Sequence, residues 1–360
     1  MKICFLSTDF PPTLGGVASH AYELAKALVK QGHEVHVITS RVNDSEEEQI
    51  LDGIQVHRPK ILWQKPFYNW SLKKYLKGFL HKNPIDIIHV HGLRPLESTT
   101  GLDYPIIFTN HTSGFLKRLE KPKVFHLRLL ARMRHVDMIL APSVELCDAS
   151  IAVGYKGPVH FVSNGVDTQR FTPLLNKQIQ PIKKLLLARR LVEKNGVIVF
   201  AEAITKVKSQ NFELIIAGDG AERSKMVDIF QNAGIQDKVK FLGGVKNSEM
   251  PAIYQQADFS VLPSFYEATS ITGLESMASG LPLIGTNVGG IPYLIEEGKT
   301  GALVPSHDAV ALAAKIDEFL LMSDEEYQSM SQATRLRTQE VFDWQVIAKE
   351  TVGYYQKVCS

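Results

Sequence analysis

The sequence predicts an α/β protein with two doubly wound parallel-sheet domains that face each other across a cleft. Short apolar segments alternate with segments of helical spacing, which predicts parallel strands joined by right-handed crossovers. This alternation starts again in the second half of the chain. The length of 360 residues fits two domains, at about 100–200 residues for each.

In the first half, residues 17–30 have an apolar stripe at helical spacing that ends before Gly32. Strands are predicted at 3–7, 35–39, 85–90, 106–109 and 138–141. The acidic run 46–48 is interpreted as a solvated loop. Prolines and polar residues at 171–181 interrupt the pattern and predict a boundary there.

In the second half, strands are predicted at 184–188, 214–217, 239–242, 259–262 and 283–285. Helices are predicted near 197–208, 248–255, 271–279, 309–321 and 344–358. We therefore expect an N-terminal domain at 1–170, a C-terminal domain at 171–341 and a final helix at 342–360. The loops that follow the strands are expected to carry the site, because ligands of such sheets bind beyond the carboxyl ends of the strands.

Composition excludes several classes of protein. Hydrophobic residues make up 44% of the chain and charged residues 22%, which is typical of a folded globular protein. The three cysteines are far apart, which argues against a disulfide framework and a four-cysteine zinc site. No apolar run approaches the roughly 20 residues of a membrane-spanning helix, and the apolar stretch at the N-terminus is too short for a signal peptide. We expect a cytoplasmic protein.

Positive charge is concentrated in one part of the chain. Residues 57–135 contain 15 basic residues against 4 acidic ones. Within this region, the segments 57–82 and 115–135 combine cations with apolar and aromatic residues such as Trp63, Phe67, Tyr68 and Trp70. This mixture favours peripheral binding to an anionic membrane surface. A solvated helix face is the alternative, and no motif supports binding to nucleic acid.

The loop at 9–16 ends in Gly15 and Gly16 and leads directly into a predicted helix. Two glycines allow close approach of a ligand, and a helix N-terminus favours an anion. A tight strand-to-helix turn is the alternative. The spacing matches neither the dinucleotide-binding fingerprint nor the P-loop.

Three histidines lie near predicted strand ends. His111 follows a strand and is a candidate for contact with substrate. We expect His89 and His91 to point to opposite faces of their strand and to form hydrogen bonds at its edge. With that arrangement and no nearby carboxylate or cysteine at a suitable spacing, no metal site is predicted.

A cluster of cations follows the strand at 184–188. Arg189, Arg190 and Lys194 precede Gly196 at the start of a predicted helix. Guanidinium and ammonium groups at a strand–helix junction suit a diphosphate. Surface solvation is the alternative.

The segment 263–292 contains the largest number of candidate residues. Glu267 and Glu275 lie on either side of Thr269 and Ser270, where a helix is predicted to begin. The amides of that helix start suit a phosphate, and a carboxylate such as Glu275 suits ribose hydroxyls. Paired carboxylates alone would indicate glycoside hydrolysis, but the phosphate-binding features argue against it. A further glycine loop lies at 286–292.

Taken together, these motifs resemble the retaining glycosyltransferases of family 4 (glycosyl transferases group 1), which have the GT-B fold of two Rossmann-like domains. The matching segments are 15–16, 86–92, 110–111, 164–167, 190–196, 217–220, 267–275 and 289–292. Residues 342–344 resemble the start of the family's last helix, which crosses back to the first domain. The order and spacing of these motifs make the resemblance specific.

The resemblance implies a nucleotide-sugar donor in the cleft between the domains. The catalytic residues of the protein would be His111 and Glu267, which would contact the donor sugar. The residues that bind the donor would be Gly15, Gly16, Arg190, Lys194, Val245, Thr269, Ser270, Ile271 and Glu275. Arg190 and Lys194 would bind the pyrophosphate, Glu275 the ribose, and the backbone near Val245 the base.

The resemblance also implies that no divalent metal or other cofactor is required, because cations and helix ends neutralise the leaving diphosphate. The acceptor would attack on the face from which the diphosphate departs, and no protein nucleophile is assigned. The chain departs from the family pattern at two places. Ala268 and Ser270 replace glycines, and Asn195 separates Lys194 from Gly196.

We expect transfer of a hexose to a glycan or lipid-linked acceptor in cell-envelope or exopolysaccharide synthesis. A UDP-sugar is favoured as donor, and UDP-glucose is the first choice. A sugar-nucleotide epimerase and a non-catalytic nucleotide-sugar-binding partner are the alternatives. A lipid-linked acceptor would place the protein peripherally on the inner face of the membrane.

Overall fold

The structure is a computed structural model that describes residues 1–13, 15–42, 45–62, 67–111, 113–119, 121–174, 177 and 180–360. The chain divides into unit 1, which comprises Met1–Gly165 and Trp344–Ser360, and unit 2, which comprises Val166–Asp343. The division lies a few residues from the predicted boundaries at 170 and 341. The reason is that the Val166 amide donates to the Phe342 carbonyl at 2.8 Å, and both residues pack in the core of unit 2. Residues 175–176 and 178–179 of the predicted boundary segment lie outside the described residues.

Unit 1 contains a sheet whose described strands have the order β3-β4-β2-β1-β5-β6-β7-β8. Neighbouring strands are parallel except for the antiparallel pair β3 and β4. The strands are β1 (Lys2–Ser7), β2 (Glu34–Ile38), β3 (Glu48–Leu51), β4 (Ile54–His57), β5 (Ile87–His91), β6 (Ile106–Thr109), β7 (Met138–Ala141) and β8 (Val159–Phe161).

The hairpin of β3 and β4 corrects the interpretation of residues 46–48 as a loop, because Glu48 is the first residue of β3. Asp52 and Gly53 form the turn with φ angles of 49° and 81°. An Asp-Gly pair favours such two-residue hairpin turns. The side chain of Glu48 remains 78% exposed, so the expected solvation of its carboxylate is present even though its backbone is paired.

Unit 2 contains a fully parallel sheet with the order β11-β10-β9-β12-β13-β14 in the described chain. The strand order reverses between β9 and β12, so the loops that follow these two strands diverge and leave a crevice. The strands are β9 (Lys183–Ala188), β10 (Phe212–Ala217), β11 (Val239–Gly243), β12 (Phe259–Leu262), β13 (Leu283–Thr286) and β14 (Gly301–Val304).

The helices connect the strands and cover both sheets. They are α1 (Gly16–Lys30), α2 (Phe67–Lys82), α3 (Leu93–Leu96), α4 (Ser113–Leu119), α5 (Lys123–Met133), α6 (Val144–Ala152), α7 (Val197–Ile204), α8 (Arg223–Asn232), α9 (Met250–Gln256), α10 (Ile271–Ala278), α11 (Ile291–Leu294), α12 (Ala309–Leu320), α13 (Asp324–Arg337) and α14 (Trp344–Cys359). Over the described ranges, none of these helices combines the length and the apolar character needed to cross a bilayer.

Helix α14 belongs to the core of unit 1 although it follows unit 2 in the chain. Trp344, Ile347 and Tyr355 are at most 8% exposed and pack with residues of α1, β1 and β5. Burial of such a side chain contributes about 1.5–3 kcal/mol. In unit 2, separate apolar clusters cover the two faces of the sheet, one mainly with α7 and α12 and the other mainly with α9 and α10.

Candidate functional site

A cavity of about 320 Å³ lies at the carboxyl ends of β9 and β12, where the strand order of unit 2 reverses. Residues from the loop after β9 and from the loop and helix after β12 line it, so both predicted motifs of unit 2 contribute to one space. The lining consists of Ala188, Arg189, Arg190, Val192, Lys194, Asn195, Glu267, Thr269, Ser270, Ile271 and Thr272.

The predicted site residues fall into three groups in the structure. Arg190, Lys194, Glu267, Thr269, Ser270 and Ile271 line the cavity. Val245 and Glu275 also belong to unit 2 but lie outside this lining. Gly15, Gly16 and His111 belong to unit 1.

Glu267 is held by a guanidinium to which the sequence motifs assign no individual role. Nη2 of Arg189 donates to Oε2 of Glu267, and the two side chains are 10% and 16% exposed. The same Nη2 donates to Oδ1 of Asn195 at 3.2 Å, and Nδ2 of Asn195 donates to the Arg190 carbonyl at 2.8 Å. The position of Arg189 at the end of β9 and its place in the cation cluster were the available signals.

The glycine loop after β13 supports the backbone of Glu267. The amide of Gly290 donates to the Glu267 carbonyl at 3.0 Å. Gly289 has a φ of +53°, and a Cβ built there would lie 1.7 Å from the same carbonyl oxygen. These glycines are therefore required for close packing of the two loops, and this packing fixes the backbone position of Glu267.

Helix α10 begins at the cavity. Its N-cap is Ser270, whose Oγ accepts a hydrogen bond from the Gly273 amide at 3.1 Å. Thr269 and Ser270 are only 8% and 3% exposed. The cap stabilises the helix start, and the partial positive charge of that start favours an anion in the adjacent cavity.

Glu275 is a buried carboxyl on α10. It is 5% exposed, and Oε2 accepts a hydrogen bond from the Tyr254 hydroxyl at 2.9 Å. Burial raises the pKa of Glu275 to about 7, while the hydrogen bond from Tyr254 and then the charge of Arg170 act in the opposite direction. No specific sequence signal points to Tyr254, which lies among other residues of the predicted helix at 248–255.

His111 lies in a cluster of four histidines in unit 1, which we call the histidine cluster: His20, His89, His91 and His111. The rings of His89 and His91 are 4.2 Å apart, so the expectation that they point to opposite faces is wrong. Residues two apart in a strand share a face. Nδ1 of His91 lies 3.0 Å from Nε2 of His111, and the ring of His20 packs edge-on against that of His111 at 4.4 Å.

Burial keeps the histidine cluster neutral. It lowers the pKa of His20 to about 4 and of His89 to about 3, and it lowers the pKa values of His91 and His111 well below the ordinary range. His89 is enclosed between the Tyr355 hydroxyl at 2.7 Å and Thr109 Oγ1 at 2.6 Å. The imidazole of His111 is therefore neutral near pH 7, which suits a hydrogen bond better than a charge interaction.

Three members of the histidine cluster could together face a metal ion. His20, His91 and His111 each offer one ring nitrogen, and these atoms lie within 4.8 Å of one another. Across the described residues, this is the one such group of histidine, cysteine or acidic side chains. The sequence predicted no metal site, and that prediction did not include His20, which the fold brings beside His91 and His111.

The two glycines at the start of α1 are exposed. Gly16 is the first residue of α1, and a Cβ built on Gly15 or Gly16 would meet no atom within 4 Å. The backbone there is open to a ligand, as the anion-binding interpretation requires. Leu14 of the same loop lies outside the described residues. Val245 follows β11 and packs partly against the core of unit 2.

Comparison with known proteins identifies relatives along the whole chain. The model of the family described as Glycosyltransferase Family 4 matches residues 14–170, and that described as Glycosyl transferases group 1 matches residues 176–337. An uncharacterized glycosyltransferase of Methanocaldococcus jannaschii is 28% identical over 99% of this chain and 98% of its own length. A phosphatidylinositol N-acetylglucosaminyltransferase chain of Arabidopsis thaliana is 24% identical over 99% of this chain and 82% of its own length.

Among solved structures, the Anabaena protein HepE in complex with UDP-glucose has a TM-score of 0.74 and 17% identity, with 99% of this chain and 100% of that chain covered. At this level of identity the likeness is one of fold.

Proposed function

The chain belongs to glycosyltransferase family 4 and has the GT-B fold, and from this premise we propose the reaction that it catalyses. It moves a hexosyl group from a UDP-sugar, with UDP-glucose as the first candidate, to a glycan or lipid-linked acceptor in cell-envelope or exopolysaccharide synthesis. The observation that carries the proposal is the cavity in unit 2. There the carboxylate of Glu267 and the cations of Arg190 and Lys194 line one space.

These groups match the parts of a nucleotide sugar. A diphosphate needs cations and helix N-termini, and a sugar hydroxyl needs an acceptor such as a carboxylate. The UDP-glucose bound to the structurally similar Anabaena protein supports the choice of donor. The acceptor of the Arabidopsis relative, phosphatidylinositol by its name, supports a lipid acceptor.

The proposed reaction proceeds with retention and without a metal. The bond from the anomeric carbon to the diphosphate breaks, the bond to the acceptor oxygen forms on the same face, and the acceptor proton passes to a diphosphate oxygen. Arg190, Lys194 and the start of α10 stabilise the charge that develops on the diphosphate. Glu267 and His111 contact the sugar. Glu275 binds the ribose, and the backbone near Val245 binds the base.

A donor screen tests this proposal. The protein is incubated with UDP-, GDP- and ADP-sugars in the presence of EDTA, with water as a poor substitute acceptor for the glycosyl group, and nucleotide release is followed by chromatography. We expect release of one nucleotide, loss of that release in Glu267→Gln, and retention in the control Glu213→Gln, whose side chain is 50% exposed on β10.

Three outcomes would contradict parts of the proposal. Dependence on added metal would overturn metal-independent chemistry and direct attention to the histidine cluster. Conversion of the sugar nucleotide without release would indicate an epimerase. If no nucleotide is released and none of the nucleotides raises the melting temperature of the protein, the proposed donor site is wrong.

The basic segments support a membrane-bound acceptor. On α2, Phe67 and Trp70 are 55% and 60% exposed, and Nζ of Lys74 lies 5.6 Å from the centre of the Trp70 ring. On α5, Leu127 is 65% exposed among cations. Exposed aromatic and basic residues together suit the interface of an anionic bilayer. Trp63 and residues 64–66 and 120 of these segments lie outside the described residues.

Sedimentation with vesicles tests the membrane proposal. We expect binding to phosphatidylcholine vesicles that contain phosphatidylglycerol, with weaker binding at high salt. Replacement of Lys74 and Lys77 by Glu is expected to abolish binding, whereas the same change at the exposed residues Lys206 and Lys208 of unit 2 is expected to preserve it. Equal binding of both variants, or no binding of the wild type, would refute a membrane surface on α2.

A further inference from the structure

Arg189 is a largely buried cation in the lining of the cavity in unit 2. It follows β9 directly, its side chain is 10% exposed, and it lines the same space as Glu267. The other two cations of the lining, Arg190 and Lys194, are exposed. Arg189 is therefore the cation that is most shielded from water in this cavity.

The guanidinium of Arg189 has one nitrogen without a partner. Nη2 is bound to Glu267 and Asn195, whereas Nη1 is buried and has no hydrogen-bond partner among the described residues. A guanidinium carries five N–H donors, and a buried charged donor that stays unpaired is strongly unfavourable. The unpaired Nη1 beside a cavity indicates that a ligand acceptor completes this group.

The adjacent turn explains why a cation is needed at this position. Asn195 is 4% exposed and directs its side chain inward, whereas Lys194 is exposed. The inner side of the turn therefore presents an amide, and the positive charge beside that amide comes from Arg189. Because Nη2 is used by Glu267 and Asn195, Nη1 is the terminal nitrogen that remains, and its two N–H groups can donate charge-assisted hydrogen bonds to diphosphate oxygens.

We propose that Arg189 binds the diphosphate of the donor through Nη1 while Nη2 holds the carboxylate of Glu267. One guanidinium then connects the leaving group to the carboxylate that contacts the sugar. This inference rests on the proposed function, because it takes a nucleoside diphosphate sugar as the donor. It adds a binding residue to those that the family resemblance assigns to the diphosphate, Arg190 and Lys194.

Isothermal titration calorimetry with UDP, UMP and uridine tests the inference. The proteins compared are the wild type, Arg189→Gln, Arg189→Lys and the control Lys184→Gln, which removes a partly exposed cation from the other end of β9. We expect Arg189→Gln to weaken UDP binding by about tenfold to a hundredfold, as for a hydrogen bond to a charged group. Uridine binding should stay within about twofold of wild type, Arg189→Lys should be intermediate, and the control should be unchanged.

A purely structural role for Arg189 would give a different result. It would weaken UDP and uridine binding equally, or leave UDP binding unchanged, and either result overturns the inference. If Arg189→Gln does not fold, the ratio of UDP to uridine affinity in Arg189→Lys distinguishes diphosphate binding from a purely structural role in the same way. If the wild type binds none of UDP, GDP and ADP, the proposed function fails and the inference fails with it. If one of them binds the wild type and the variants alike, only the inference fails.

Discussion

We expect the buried carboxyl of Glu275 to make the stability of unit 2 depend on pH. Burial raises the pKa of Glu275 from an ordinary value of 4.5 to about 7. Well below pH 4.5 the carboxyl is protonated in both the native and the unfolded chain, so it does not make the free energy of unfolding depend on pH. Between the two pKa values the unfolded chain is ionised while the native chain keeps the proton, so the free energy of unfolding falls as the pH rises.

The size of this effect follows from the two pKa values. Each pKa unit corresponds to about 1.4 kcal/mol, so the shift from 4.5 to about 7 corresponds to about 3 kcal/mol above neutral pH. Glu275→Gln removes the titration and keeps an oxygen that can accept the hydrogen bond from Tyr254. We therefore expect the variant to be more stable than the wild type by a margin that increases with pH and reaches about 3 kcal/mol above neutral pH.

Urea unfolding followed by circular dichroism measures this margin at about pH 4.5, 6 and 7.5. Glu213→Gln serves as a control, because that carboxylate is half exposed and belongs to the same unit. A difference between the wild type and Glu275→Gln that changes by less than about 0.5 kcal/mol across the range would refute the reasoning.

Nucleotide binding gives an independent measurement of the same group. Hydrogen bonds from ribose hydroxyls favour the ionised carboxylate, so binding lowers the pKa of Glu275 if it contacts the ribose as proposed. We expect UDP binding near pH 6.5 to release a proton, seen as a dependence of the binding enthalpy on the buffer. Glu275→Gln should abolish this dependence, and an unchanged dependence would exclude Glu275 as its source.

Three further results are expected. Gly289→Ala should lose at least about 2 kcal/mol of stability and most transfer activity, because its Cβ would meet the Glu267 carbonyl at 1.7 Å. Tyr355→Phe should lose about 1–3 kcal/mol, the usual effect of leaving a buried polar group unpaired, because its hydroxyl is 2.7 Å from Nδ1 of His89. Unit 1 should lose stability as the pH falls from about 6.5 towards 4, because the unfolded chain then takes up protons that the histidine cluster excludes; tryptophan fluorescence reports this, because all three tryptophans belong to unit 1.

Matched variants separate these effects from general ones. Gly78→Ala, where a Cβ meets no atom within 4 Å in α2, should be neutral or stabilising. Tyr354→Phe should have little effect, because Tyr354 is only partly buried and its hydroxyl lies 3.4 Å from Glu350. Equal losses of stability in the test and control variants would contradict the first two expectations, and constant tryptophan emission down to about pH 4 would contradict the third.

Most of the fold could be predicted from the alternation of short apolar segments with segments of helical spacing. The strands β6, β7 and β12 have the predicted bounds, and β1, β9 and α14 differ by one residue. Parallel strands buried on both faces give short apolar runs that end at polar residues, and such runs are easy to recognise. The edge strands β3 and β8 lack that signal, because β3 is largely exposed and β8 is only three residues long.

The site was partly predictable, because the loops after β9 and β12 carry recognisable chemistry. Arg190, Lys194 and Glu267 could be selected by residue type and by position after a strand. The pairing of Arg189 with Glu267 could not, because it joins residues 78 positions apart through side-chain conformations. The same holds for Tyr254 and Glu275, which are brought together by packing of α9 against α10.

The order in which the two units emerge from a ribosome follows from the division of the chain. Unit 2 is one continuous segment, whereas unit 1 is interrupted between Gly165 and Trp344. Synthesis therefore completes unit 2 while unit 1 still lacks α14, which covers part of its apolar core and supplies Tyr355 to His89. Until α14 is made, the nascent unit 1 exposes that apolar surface, and this is the stage of biosynthesis at which the chain is most vulnerable to aggregation.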